Sequence, residues 1–123
     1  MMLAKSTDTL VIKMQEILGD ARVLVVNQQH DPQLLQDLET ILAWKVQGYS
    51  IGDGDGVRKI AAAAEAIRMG RYGLVVGTTG LFGHRHDRAL ATAAKATNTL
   101  YVRVNRGRVG NIIREVARML GLS

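Results

Sequence analysis

The stretch "LVVGTTGLFGHRHDRALATAAKAT", residues 74–97, decides how this chain is read. It begins as a short β-branched run, passes through a glycine-punctuated loop, and resumes with apolar residues at helical spacing. That is the pattern of a strand handing over to a helix. His84, Arg85, His86, Asp87 and Arg88 crowd into the handover.

The same alternation extends in both directions. "RVLVVN" (22–27) is a buried strand, and "DPQLLQDLETILAWKV" (31–46) a helix opened by Asp31 as cap and Pro32 at its first position, with Gly48 as its stop. "YSI" (49–51) is a weak second strand, "GVRKIAAAAEAIRMG" (56–70) an alanine-rich helix, and "YGLVVG" (72–77) the third strand. Residues 85–97 form the helix of the opening stretch. "TLYVRV" (99–104) is the fourth strand and "GNIIREVARML" (110–120) an amphipathic last helix. Ahead of all this, Leu3, Leu10, Val11, Met14, Ile17 and Leu18 fall at helical spacing and Gly19 ends the run.

Strands alternating with helices predict an α/β fold with a parallel sheet covered on both faces. The expected form is a small doubly wound four-stranded sheet, strand order 2-1-3-4, with an extra N-terminal helix. A single domain is expected over residues 1–123, with the first helix in 1–19 and the α/β core in 22–121. No linker, repeat or low-complexity tract divides the chain.

Composition agrees. At 123 residues the chain is long enough for one core, and 47% apolar with 22% charged residues is ordinary for a globular domain. Having no cysteine, it can form neither disulfides nor thiolate metal sites, and it has no Cys nucleophile. No apolar run has the length of a membrane span, and the start "MMLAKSTDTL" lacks a signal peptide's apolar stretch, so a cytoplasmic protein is expected. The net charge of +5 is uneven. Residues 1–61 hold six Lys/Arg against eight Asp/Glu, and residues 62–123 hold ten against three. An anionic partner for the second half follows, or else an arginine-rich solvated surface.

In the order 2-1-3-4 the chain leaves strand one on one side and returns on the other at strand three. Ligands of such sheets bind in the crevice between the carboxyl ends of those two strands. The loop after strand one bears His30, and the loop after strand three bears Phe82, His84 and His86. The loop after strand four adds Arg106 and Arg108.

Several chemistries can be weighed there. A dinucleotide fingerprint needs glycines in the first turn, and "NQQHDP" has none; nor is there a P-loop Gly-Lys-Ser/Thr. "GDGDG" (52–56) reads as a tight turn and helix start, since Ala64 stands where a calcium loop needs its last acid. A hydrolase elbow is missing. His84, His86 and Asp87 with His30 would supply nitrogen and oxygen ligands to zinc, but without a zinc spacing signature. Generic phosphate binding fits a helix starting near Arg85. Nucleic acid is disfavoured as a partner because aromatic residues are 4% and make no stacking platform.

The strand, "GTT", and "GH" ten residues before "AK" (Gly83-His84 to Ala94-Lys95) resemble the bacterial family catalogued as domain of unknown function 2325. "GDGDGVRKIAAAAEAI" resembles that family's turn and following helix, and "TLYVRVNRG" its last strand and turn. The likeness runs over residues 22–120, with Gly83 standing where the family has serine and "VNQQH" where it has a glycine-rich turn. It implies a small Rossmann-like (flavodoxin-like) domain. Some related proteins are described as haem proteins that bind dioxygen through histidine. The resemblance therefore implies a non-enzymatic protein that binds haem b and O2, with His84 as the iron ligand. His86, His30, Phe82, Arg85 and Arg106 would line the cofactor, and arginines would pair with propionates. Leu81 and Trp44 would add apolar contact. A porphyrin is broad for so small a crevice, so a homodimer is expected, with the stripes Leu3–Leu18 and Val109–Leu120 as candidate surfaces. The alternative is a sensor of a nucleotide or other phosphate ligand in the same crevice.

Overall fold

The computed structural model describes residues 5–19, 21–29, 31–52, 56–78, 84–104 and 108–122, and for residues 5–8 and 84 the backbone alone. The elements follow in strict alternation after a first helix: α1 (Lys5–Leu18), β1 (Arg22–Asn27), α2 (Pro32–Leu42), β2 (Lys45–Ser50), α3 (Gly56–Arg68), β3 (Leu74–Thr78), α4 (His84–Ala96), β4 (Leu100–Val104) and α5 (Val109–Met119). The four strands are all parallel and lie in the order β2-β1-β3-β4. The architecture is the doubly wound α/β sheet that the alternation predicts. No helix among the described residues is long and apolar enough to cross a membrane.

Each face of the sheet has its own core, because successive strand residues point to opposite sides. Val23 and Val25 of β1, Leu74 and Val76 of β3, and Val102 and Val104 of β4 meet α1, α2 and α5 on one face. Leu24, Val26 and Val75 meet α3 and α4 on the other. β1 and β3 are therefore buried on both sides, which is why they read as continuous β-branched runs. The alanines Ala63, Ala64, Ala93 and Ala94 are buried in the second core, where α3 and α4 pack side by side.

Two expectations are corrected here. The second helix ends at Leu42, not near residue 46, and β2 starts at Lys45 rather than at Tyr49. Ala43 turns the chain by adopting a left-handed conformation, φ 54°, so no glycine marks the stop. Gly48 lies within β2 opposite Val25, and a Cβ there would sit 2.5 Å from Leu35 Cδ1. It is a close-approach glycine beneath α2 instead of a helix terminator.

The second correction concerns the apolar stripes offered as dimer surfaces. Val11 and Met14 of α1 are buried, and α5 buries Val109, Ile112, Ile113, Val116 and Ala117, the inner face of an amphipathic helix. The α5 stripe is thus spent largely within the chain, whereas in α1 Leu10 and Leu18 are half-buried and Ile17 is exposed. Trp44 also joins this core, 4% exposed, with no hydrogen-bond partner for its Nε1 among the described residues. It precedes the first residue of β2 and so sits at the amino end of the sheet. That is the far end from the crevice, and Trp44 does not line it.

Candidate functional site

The crevice lies at the carboxyl ends of β1 and β3, and its floor is polar. Asn27 ends β1 and Thr78 ends β3, and both are more than nine-tenths buried. Thr78 Oγ1 lies 2.8 Å from Asn27 Oδ1 and 3.2 Å from the Val26 carbonyl oxygen, and its hydroxyl donates across the gap between the strands. The Asn27 side-chain oxygen is thereby occupied.

The chain leaving β2 is tied to the chain leaving β1. Ile51 N donates to the Asn27 carbonyl at 2.9 Å, Gly52 N to the Gln28 carbonyl at 2.7 Å, and Gln28 Nε2 to the Gly52 carbonyl at 2.9 Å. Gly52 is left-handed, φ 66°, and Lys59 Nζ lies 3.4 Å from where a Cβ on it would be. Lys59, from the first turn of α3, therefore folds back over the rim.

Beside this floor start α3 at Gly56 and α4 at His84. His86 is half-buried, with its imidazole Nε2 3.3 Å from the position of a Cβ on Gly56. The glycine leaves room for the ring to lie over the start of α3, so His86 joins the first turns of the two helices. Helix starts carry unpaired N–H groups and the positive end of the helix dipole. At α2 that capacity is used internally, because Asp31 Oδ1 accepts from Leu34 N at 3.1 Å.

The first turn of α4 is anchored to β4 by a polar cluster that sequence reasoning missed. Asp87 is buried. It accepts from the Tyr101 hydroxyl at 2.6 Å and Arg103 Nε at 3.1 Å through Oδ1, and from Arg103 Nη2 at 2.9 Å through Oδ2. Burial, then the hydrogen bond to Asp87 and its negative charge, push the Tyr101 hydroxyl well above the ordinary phenol range, with Arg103 opposing. The Tyr101 ring lies over Gly77, where a Cβ would stand 3.1 Å from Cζ and closer still to the hydroxyl. The signal for this cluster was present in the alternation of "YVR" on an edge strand, but its partner is 14 residues away in the chain.

The candidate residues are thus distributed as follows. His84 is the first residue of α4, not a loop residue, and His86 lies in the same turn. Asp87, a zinc donor in the sequence reading, is taken by Tyr101 and Arg103. Among the described residues no group of three or more His, Cys, Asp or Glu could hold a metal ion. Arg85 is exposed and lines an outer groove with Arg68, Arg88, Ala89 and Thr92. Arg108 is exposed and precedes α5 without a side-chain capping bond. His30, Leu81, Phe82 and Arg106 lie outside the described residues.

Comparison with known proteins adds little. No family model matches the chain, and no curated protein does. Among solved structures it is similar to the crystal structure of SulA from Pseudomonas aeruginosa, at 17% identity and a TM-score of 0.47, over 83% of this chain and 90% of that one.

Proposed function

We propose that the chain is a binding domain for a small phosphate-bearing ligand, of which a nucleotide is the leading class, held in the crevice between β1 and β3. The observation that carries this reading is the buried polar pair Asn27–Thr78 at the carboxyl ends of β1 and β3, beside which α3 and α4 begin. Lys59 at the rim and the backbone donors of the two helix starts would meet the phosphate, and Asn27 would donate to an oxygen of the ligand. Titration calorimetry with inorganic phosphate and a panel of nucleoside mono-, di- and triphosphates tests it. Binding should weaken with salt, and Asn27→Leu should lower affinity at least tenfold while the far-UV dichroism holds. Absence of heat with every member of the panel at millimolar ligand would refute it.

Haem ligated by His84 is the second reading, supported by the place of that residue at the first position of α4 beside the same crevice. The described floor, Asn27 hydrogen-bonded to Thr78, suits a polar ligand better than a porphyrin. A Soret band on reconstitution that His84→Ala removes and His86→Ala spares would favour haem over phosphate.

A further inference from the structure

The two faces of the sheet differ in charge. α1, α2 and α5, on one face, together carry four Lys/Arg against five acids, and α3 and α4, on the other, carry six Arg/Lys against Glu65 and Asp87. Asp87 is held by Arg103 of β4. Of the acids on these two helices that leaves Glu65, which lies 3.5 Å from Arg68. The asymmetry seen along the sequence thus becomes an asymmetry between two surfaces.

On the basic face an open groove of about 420 Å³ runs between the helices, lined by Arg68, Arg85, Arg88, Ala89 and Thr92. Arg85 and Arg88 come from the first half of α4 and Arg68 from the last turn of α3, so three guanidinium groups from distant parts of the chain border one space. Neither Arg85 nor Arg88 pairs with a carboxylate among the described residues. Exposed arginines that share a groove and lack acids repel one another, and a structure keeps such an arrangement at a cost that a polyanion would relieve.

We infer that the α3–α4 face binds the phosphodiester backbone of nucleic acid, without reading sequence. Three features favour this occupant over an acidic polypeptide. Four of the six cations on these helices are arginines, whose planar forks match phosphate oxygens in pairs. The sign is nearly uniform over helices of 13 residues, roughly 20 Å long. That length spans about six steps of a strand with one phosphate every ~3.4 Å. Between the arginines the groove is lined by the short side chains of Ala89 and Thr92, which leave room for sugars and offer an acidic polypeptide little apolar contact. The lack of aromatic residues argues against base recognition and is irrelevant to backbone contacts.

The groove is lined by side chains outside the crevice floor of Asn27 and Thr78. Fluorescence anisotropy with labelled single-stranded RNA, single-stranded DNA and duplex DNA of about 20 nucleotides provides the test. Binding is expected in the range typical of non-specific contacts, about 1–100 µM. With three phosphate contacts, affinity for a single strand should fall roughly 20-fold between about 50 and 200 mM salt. Arg85→Gln/Arg88→Gln should reduce that fall to about threefold. The control Arg114→Gln/Arg118→Gln removes the same charge from α5, on the other face, and should bind as the parent does. A preference for one of the three probes would define the form of the partner and support the inference. Equal weakening by both double variants would mean bulk charge only and overturn it. So would absence of binding at about 0.1 mM protein, the weak limit of non-specific binding. Polyglutamate binding as tightly as the oligonucleotides at equal salt would assign the face to acidic polypeptides and overturn it as well.

Discussion

Replacing Gly77 by alanine adds one methyl group directly beneath Tyr101. The new Cβ would lie 3.1 Å from Cζ and 3.2 Å from Cε1, and closer to the hydroxyl oxygen. The strand backbone is held on both sides, by β1 at Val26 and by β4 at Arg103, so the ring must move. Moving it breaks the 2.6 Å bond to Asp87, a hydrogen bond to a carboxylate that contributes about 1.5–3 kcal/mol. Overpacking adds about 1–3 kcal/mol, and the lower chain entropy of unfolded alanine returns about 0.5–1 kcal/mol. The net expectation is a loss of about 2–4 kcal/mol, on the order of 10 °C in midpoint for a domain of this size. Urea unfolding followed by the fluorescence of Trp44, the chain's single tryptophan, measures it without a label. The decisive comparison is a double-mutant cycle with Tyr101→Phe. That variant has already lost the bond to Asp87 and the nearest atom of the clash, so adding Gly77→Ala to it should cost at least about 1.5 kcal/mol less than adding it to the parent. Additive losses, with coupling under about 0.5 kcal/mol, would refute the account of Gly77 as room for the Tyr101 hydroxyl.

Three further expectations follow from particular residues. The Tyr101 hydroxyl is raised above its ordinary value of 10.0, so both folded and unfolded chains keep the proton below that pH. Above it the unfolded chain ionises first, and stability should fall as pH rises; Tyr101→Phe should flatten this alkaline limb in urea midpoints. Ala43 holds a left-handed φ of 54° at the end of α2, so Ala43→Gly should stabilise the domain by about 0.5–1 kcal/mol, read as a higher urea midpoint. Ile113 is 1% exposed in the first core, so Ile113→Asp should abolish the folded far-UV and near-UV dichroism rather than alter assembly. A soluble, folded Ile113→Asp protein would contradict the placement of α5.

The parallel sheet and its order were legible because β1 and β3 are covered on both faces and so appear as unbroken runs of Val and Leu. β2 was misread for the same physical reason. It is an edge strand, "KVQGYS", with no residue fully buried, and its polar and glycine content looks like a helix end followed by a turn. The left-handed Ala43 was illegible because the conformation is set by the packing of α2 and not by a residue that prefers it. At the candidate site the sequence pointed to the right end of the sheet, since that follows from strand order alone. It could not distinguish His86, packed over α3, from Arg85, turned to the outer groove, because neighbouring helical residues differ in direction by about 100°. The Asn27–Thr78 and Asp87–Tyr101–Arg103 pairings join positions far apart in the chain, and no local pattern announces them.

The placement of β1 at the middle of the sheet has a consequence for synthesis on the ribosome. β1 is the first strand made, yet it needs β3, whose pairing residues lie 51 positions later, to cover one edge. Leu24 and Val26 also wait for α3 and α4 to cover their face. A nascent chain that has reached residue 70 therefore holds Val23–Val26 with one edge open and one face covered at most by α3, a segment prone to pair with other chains. Productive folding must be delayed until α4 has emerged, and slowing elongation just before β3 should increase aggregation of the newly made protein. Slowing it after α5 should not.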